Sequence, residues 1–228
     1  MKHKIKTYIK NKSKNISTLL WIYNHILGSN KIKVPSNNTF IIGTAVMKKT
    51  KITVNGINNT IIIKDLSRLI NCNIYIQGSN NHIVINKKVY LNYTELYIED
   101  DNNEICVGEN TSVHGVTHLA AIEGTIINIG SDCMFSSDIH FRTGDSHSII
   151  DLSGKRLNTS ENIFIGNHVW IGTKVICLKG VHIANNCIVG AGSLITKKFS
   201  EENVILAGNP AIIVKHKIDW LSERIGRL

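Results

Sequence analysis

No stretch of 18 apolar residues occurs anywhere in the 228-residue chain, so no segment is predicted to cross a bilayer as a helix. The longest mainly apolar run near the start, Ile16 to Leu27, is broken by polar residues. It also lacks a small-residue cleavage site, which argues against an export signal. Large rings are scarce, at 6% of residues, yet 43% of the chain is hydrophobic and 19% is charged. That balance can bury a core, and it excludes a disordered polymer, a collagen and a heavily charged coiled coil. No Cys-x-x-Cys pair is present. The five cysteines (Cys72, Cys106, Cys133, Cys177, Cys187) are scattered and odd in number, which argues against a disulfide framework or a zinc knuckle and predicts buried thiols in a reducing cytosol. Also missing is any aromatic–basic RNA motif or finger spacing, so the net charge of +9 is not read as a nucleic-acid signature. Much of the excess is local, at Lys2, Lys4, Lys6, Lys10, Lys12 and Lys14. Such a run reads as a solvated arm or as a face for anionic lipid or an anionic substrate.

What the chain does contain is a repeat. Ile61, Ile83, Ile105 and Ile127 recur every 22 residues, as do Ile63, Ile85, Val107 and Ile129. A second column runs Ile52, Ile74, Leu96, with Val54, Ile76 and Ile98 two places on; a third runs Met47, Leu69, Leu91, Val113, Phe135. The pairs Asn58-Asn59, Asn80-Asn81 and Asn102-Asn103 keep the same interval. Within each repeat the apolar residues alternate with period two, the pattern of short strands. Three strands per repeat predict a coil of parallel strands stacked on itself. The Asn pairs suit its tight corners, because Asn tolerates the left-handed backbone region. Each inward Ile contributes roughly 2 kcal/mol of burial, but no single turn hides its own face, so only the stack is stable.

Downstream the period changes. Ile165, Ile171, Cys177, Ile183, Val189 and Ile195 are six apart, Ile163, Val169, Val175 and Val181 lie two residues before the first four, and Gly166, Gly172 and Gly190 follow three of them. This rhythm resembles that of the hexapeptide-repeat acyltransferases, most strongly over residues 128–216. The resemblance implies an all-β fold, a left-handed parallel β-helix, where the general rule for parallel crossovers gives a right-handed one. Residues 1–30 read as a basic amphipathic helical segment, with Leu19, Leu20, Ile22, Tyr23, Ile26 and Leu27 at helical spacing. It is expected to cap the open end of the coil, with the inner membrane face or a neighbouring subunit as other partners. Residues 31–216 form the β-helix domain, and 217–228 are expected to be a short closing helix.

The repeat breaks once. Eighteen residues beyond Ile129 the register lands on His147, and the next inward aliphatic is Ile165, 36 residues on. The polar, out-of-phase segment 142–161 therefore reads as a loop leaving the coil, and loops on rigid scaffolds are where function concentrates. Asp145-Ser146-His147 and the downstream Asn167-His168-Val169-Trp170 resemble the active-site region of sugar and polysaccharide O-acetyltransferases, above all the bacterial polysialic-acid and capsular polysaccharide enzymes. By that resemblance His147 is the catalytic base and Trp170 shapes the acceptor and thioester site. Asp145 either orients the imidazole or binds the sugar, His140 and Arg142 line the acceptor site, and His168 supports Trp170. The strings Gly190-Ala191-Gly192-Ser193 to Lys197 and Ala207-Gly208-Asn209-Pro210 to Lys215 resemble the family's coenzyme A strip. They make Gly172, Gly190, Ala191, Ser193, Thr196, Lys197, Lys198, Pro210 and Lys215 the donor-binding candidates.

The chemistry fits these residue types. Acyl transfer from a thioester requires the acceptor hydroxyl to lose its proton as it attacks, and an imidazole of ordinary pKa about 6.5 is largely the neutral base at pH 7. A positioned base contributes about 10²- to 10⁴-fold. The resemblance thus implies an acetyl-CoA-dependent O-acetyltransferase, a homotrimer with sites shared between subunits, cytoplasmic or peripheral at the inner membrane, using no metal and no nucleic acid. The competing readings are a nucleotide-sugar N-acetyltransferase on the same fold, a non-enzymatic β-solenoid scaffold, and a zinc-dependent γ-type carbonic anhydrase. The last lacks its His-x4-His pair, for which His114 and His118 are no substitute. His82, His114, His118, His182 and His216 read as residues of the coil faces.

Overall fold

The computed structural model describes residues 18–226. The lysine run from Lys2 to Lys14 lies outside them. Three parallel sheets wrap one core. The first holds eight strands, from Lys31–Lys33 to Leu194–Ile195; the second also holds eight, from Thr39–Ile42 to Lys198–Phe199; the third holds nine, from Val46–Lys48 to Ala211–Lys215. The chain visits the sheets in rotation, so each turn adds one strand to every face of a prism. The columns in the sequence are the pairing registers. Ile61 faces Ile83, which faces Ile105, which faces Ile127. Met47, Leu69, Leu91, Val113 and Phe135 stack in the third sheet. All of these side chains are buried.

The break in the repeat is an excursion, as its phase predicts. Ile127 pairs directly with Ile163 and Ile129 with Ile165, so residues 143–162 leave and re-enter the coil without disturbing its register. The asparagine pairs divide their labour. The first of each, Asn58, Asn80 and Asn102, has φ of 57°, 59° and 62°, the left-handed corner expected. The second of each is buried and builds a ladder through the wall. Asn81 Nδ2 donates to Asn59 Oδ1 at 3.0 Å and Asn103 Nδ2 to Asn81 Oδ1 at 3.2 Å, while each Oδ1 also accepts the next backbone N–H. Buried amides are tolerated only when satisfied in this way.

Both ends differ from expectation in detail. Residues 18–22 are helical and widen into a π-helical turn, Tyr23–Leu27. The turn does cap the coil, but through a polar group: Asn24 donates to the Ala45 carbonyl at 2.9 Å and accepts Met47 N–H at 2.8 Å. Those are backbone groups of the first turn that no further strand can pair. Leu19, Ile26 and Leu27 stay about two-thirds exposed, at 65%, 64% and 67%, while Leu20, Ile22 and Tyr23 are partly buried, so only part of the predicted apolar stripe packs on the prism. At the other end, the second of the two strings expected to line a donor strip closes the third sheet. Ile205–Gly208 and Ala211–Lys215 pair antiparallel, and residues 216–226 are irregular rather than a helix. Aromatic and polar contacts of Asp219 and Trp220 with His168 hold the tail, which leaves no need for a helical apolar face. Among the described residues no helix is long and apolar enough to cross a membrane.

Candidate active site

The excursion is a twisted hairpin pinned at its root and at its centre. At the root, buried Thr143 accepts a 2.6 Å hydrogen bond from Thr125 Oγ1, and its carbonyl accepts Glu161 N–H at 2.9 Å. Arg156 grips Glu123 with two nitrogens, at 2.8 and 3.0 Å, and Ser160 adds a third bond to the same carboxylate at 2.7 Å. This fork-to-carboxylate geometry is the favoured one for Arg, and it holds the Glu123 carboxyl below the ordinary range. The tip turns on Asp151, whose Oδ1 accepts Ser153 N–H at 2.9 Å and Lys155 N–H at 3.0 Å.

Asn158 holds the centre. It is buried in a mostly exposed loop, and its Nδ2 donates to Asp145 Oδ2 at 2.8 Å and to the His147 carbonyl at 2.7 Å. Its Oδ1 accepts Ile149 N–H at 2.7 Å. One side chain thus ties the Asp145 carboxylate to the backbone at His147 and Ile149. The His147 ring is exposed, with no hydrogen-bond partner among the described residues, as an imidazole must be if it is to take a proton from an incoming hydroxyl. Asp145 does not touch that ring. Its carboxylate meets Lys179 Nζ at 2.5 Å as well as Asn158, and Lys179, followed by Asn158, pulls its pKa down. Of the two expected roles, orienting the imidazole has no contact here to carry it; the carboxylate ties the loop to Lys179 instead.

A cavity of about 240 Å³ opens beside the loop, on the outer face of the first sheet. Arg142 and Ser146 border it. His140 stands next to it, 6.1 Å ring to ring from His118. Gly144 also lines it and is tightly packed, since a Cβ there would come within 2.1 Å of Ser160 Oγ and 2.6 Å of Ile122 Cδ1.

Trp170 lies elsewhere. It sits on the third sheet between Met134 and Ile188, a different face from the edge where the loop leaves. His168 is likewise committed away from the loop: its ring stacks on Trp220 at 4.2 Å, it accepts the Trp220 indole N–H through its carbonyl at 2.9 Å, and its Nε2 lies 3.2 Å from Asp219 Oδ1. His147 and Asp145 thus share the loop, Arg142 lies at its root beside the cavity, and Trp170 and His168 lie on another face.

The donor-strip candidates span the last three turns but not one line. Gly172, Gly190, Ala191 and Ser193 follow third-sheet strands at one edge, while Thr196 and Lys197 lie between the first and second sheets at another and Lys198 opens the last strand of the second. Gly172 has a packing reason, because a Cβ there would meet Ala191 N at 2.8 Å. Ser193 is buried and structural, donating to the Gly190 carbonyl at 2.6 Å. Ala191, Thr196, Lys198, Pro210 and Lys215 are exposed, and so is Lys197, which rests over the Phe199 ring at 5.5 Å. Among the described residues no group of three His, Cys, Asp or Glu side chains is placed to hold a metal ion. The residues sequence reasoning missed are Asn158, Lys179 and Arg156. Only their position in or opposite the phase break signalled them.

No family model matches the chain. It is 36% identical over 186 residues to the polysialic acid O-acetyltransferase of Neisseria meningitidis, covering 81% of this chain and 86% of that protein. It is 32% identical over 115 residues to the polysialic acid O-acetyltransferase of Escherichia coli O1:K1, covering 50% of this chain and only 37% of that relative's length. In three dimensions it resembles the crystal structure of the polySia-specific acetyltransferase NeuO, with a TM-score of 0.81 at 30% identity over 88% of this chain and 92% of that one. The repeat registers, the single excursion carrying His147 and this likeness over most of both chains lead to one conclusion: the chain belongs to the hexapeptide-repeat O-acetyltransferases, built on the left-handed parallel β-helix.

Proposed function

We propose that the protein transfers an acetyl group from acetyl-CoA to a hydroxyl of a bacterial surface polysaccharide or its precursor, with His147 as general base. The observation that carries the reading is the Asn158 hub, which immobilises the loop backbone around His147 and leaves the imidazole facing solvent. The bound thioester supplies an activated acyl carbon. His147 removes the acceptor proton as the oxygen attacks that carbon, the C–S bond breaks, and the thiolate leaves with a proton returned from the imidazolium. Arg142 and His140 face the acceptor; Ala191, Pro210 and the lysines 197, 198 and 215 face the donor, the lysines as point charges for its phosphates. The work is done in the cytoplasm, where acetyl-CoA is made.

Trp170 enters the site from a neighbour. His147 and Trp170 lie on different faces of one prism, so a trimer in which adjacent protomers abut is the arrangement that unites them. The test uses both residues. His147→Ala alone is expected to lower kcat by about 10²- to 10⁴-fold on a glycan acceptor, with the Tm unchanged. Co-expression of equal amounts of His147→Ala and Trp170→Ala chains is expected to restore about one quarter of wild-type activity, since a quarter of randomly formed junctions pair an intact His with an intact Trp. Activity of the single variant near wild type removes His147 as base; no restoration in the mixture removes the shared site.

A further inference from the structure

The net positive charge belongs to one end of the chain. Residues 1–64 hold twelve lysines and no Asp or Glu, whereas residues 65–228 hold 14 Lys and Arg against all 17 acids, a net of −3. In the first turns of the prism Lys31, Lys33, Lys48, Lys49 and Lys51 are exposed, and none of them pairs with a carboxylate among the described residues. Asp65, which shares a groove with Leu20 and Trp21, is already engaged by the Thr44 N–H and hydroxyl at 2.9 and 3.2 Å. Apolar side chains stand in water at this same end. Besides the exposed Leu19, Ile26 and Leu27, an open groove of about 440 Å³ is lined by Leu19, Leu20, Ile22, Tyr23, Leu27 and Val46. Lys48 shares the outer face of its strand with Val46, and Arg68 lies beside Val46 on the next strand. In sequence, the lysines from Lys2 to Lys14 lead directly into the apolar segment.

We infer that this end of the molecule docks on the surface of an anionic bilayer, with Leu19, Ile26 and Leu27 entering the boundary between headgroups and acyl chains and the lysines meeting lipid phosphates. Apart from the Tyr23 hydroxyl, the groove lining has no side-chain polar group to orient a particular ligand. Exposed hydrocarbon flanked by cations is instead the combination that an interfacial segment uses, the apolar side chains for insertion and the charge for attraction to anionic lipid. Other occupants satisfy only half of it. A second copy of the same end is repelled by its own charge, and a nucleic acid neutralises the lysines but leaves Leu19, Ile26 and Leu27 in water. The docking surface is remote from the excursion in sequence and stands whether or not His147 is the base.

The experiment is co-sedimentation of the full chain with phosphatidylcholine vesicles that carry either no phosphatidylglycerol or about 30% of it, at about 0.15 M salt. Binding to the anionic vesicles is expected to be at least tenfold tighter than to phosphatidylcholine alone, and to weaken tenfold or more at about 1 M salt. Two full-length variants separate charge from insertion. Lys31→Gln, Lys33→Gln and Lys48→Gln together are expected to weaken binding to the anionic vesicles about tenfold or more. Leu19→Ser, Ile26→Ser and Leu27→Ser together are expected to weaken it by a similar factor with the Tm unchanged, since these side chains are exposed. Changing the same three residues to Phe is expected to keep the binding. No binding to the anionic vesicles, or binding that the triple Ser variant leaves intact, overturns the inference, the second because charge alone then accounts for adsorption. So does a change of oligomeric state in the triple Ser variant without lipid, which gives the surface to a second copy, or tighter binding to a mixed-sequence single-stranded DNA than to the vesicles.

Discussion

Replacing Asn158 with alanine isolates what the hub contributes, because the residue touches neither face of the coil core. The substitution removes the donor to Asp145, the donor to the His147 carbonyl and the acceptor for Ile149 N–H. Two neutral bonds at about 1 kcal/mol each and one bond to a charged group at about 2 kcal/mol make the closed loop roughly 4 kcal/mol less favourable against its open form. The open loop is solvated, so the loss appears as local opening and not as unfolding of the prism, whose turns pair across the excursion through Ile127–Ile163 and Ile129–Ile165. A base displaced by about 1 Å costs on the order of 10²-fold. Asn158→Ala is therefore expected to lower kcat at least that far in a continuous assay of coenzyme A release, with a Tm within a few degrees of wild type and faster proteolysis between residues 149 and 157. A variant within threefold of wild-type kcat refutes the hub as the element that positions His147.

Three further outcomes follow from the same structure. Asn81→Ala removes two buried donated bonds and leaves Asn103 N–H without its 2.8 Å acceptor; a loss of about 3 kcal/mol is expected, read as a Tm lower by about 6–12 °C. Loop order should depend on pH only in acid. Lys179 and Asn158 depress the pKa of Asp145, so its contribution is fully present above the ordinary carboxylate value of about 3.9 and is lost as pH falls through the lowered pKa. Proteolytic susceptibility of the loop is expected to stay flat from pH 8 to 5 and rise only below about 4, with the onset moved upward in Lys179→Met. Burial pushes the thiols of Cys72 and Cys133 up to about 11 and raises those of Cys106, Cys177 and Cys187. The native protein should resist a thiol reagent at neutral pH and titrate five thiols in guanidinium; rapid native reaction at Cys177 contradicts the burial of that thiol in the core.

The prism was legible because parallel stacking converts a spatial repeat into a numerical one. Each residue meets its counterpart one turn away, so Ile83 needs the same chemistry as Ile61 and Ile105, and the column survives in the sequence. The excursion was legible for the same reason, as a failure of phase at His147. The asparagine ladder was only half legible: the corner role of Asn58, Asn80 and Asn102 follows from a residue preference, whereas the buried role of Asn59, Asn81 and Asn103 depends on the wall having no other acceptor. The ends obeyed no repeat. Helical spacing of Leu19 to Leu27 predicted an apolar contact, and the coil instead needed an amide from Asn24 to satisfy its unpaired first turn. At the tail, stacking of Trp220 on His168 did what a helix was expected to do.

Inside the excursion, sequence reasoning named the residues proposed to carry chemistry and missed those that hold the loop. His147 stands out because a histidine replaces an aliphatic in a strict column. Asn158, Arg156 and Lys179 stand out from nothing, since each is one polar residue among many and acquires its role from a partner 11 to 34 positions away. The same limit bears on Trp170. Only 23 residues separate it from His147, but in a coil that distance leads around the prism to another face, and nearness along the chain is not nearness in space. Two residues that a resemblance groups into one site, yet one fold separates, meet only where a second chain brings the far face round, and that physical requirement is why the proposed site is placed at a boundary between protomers.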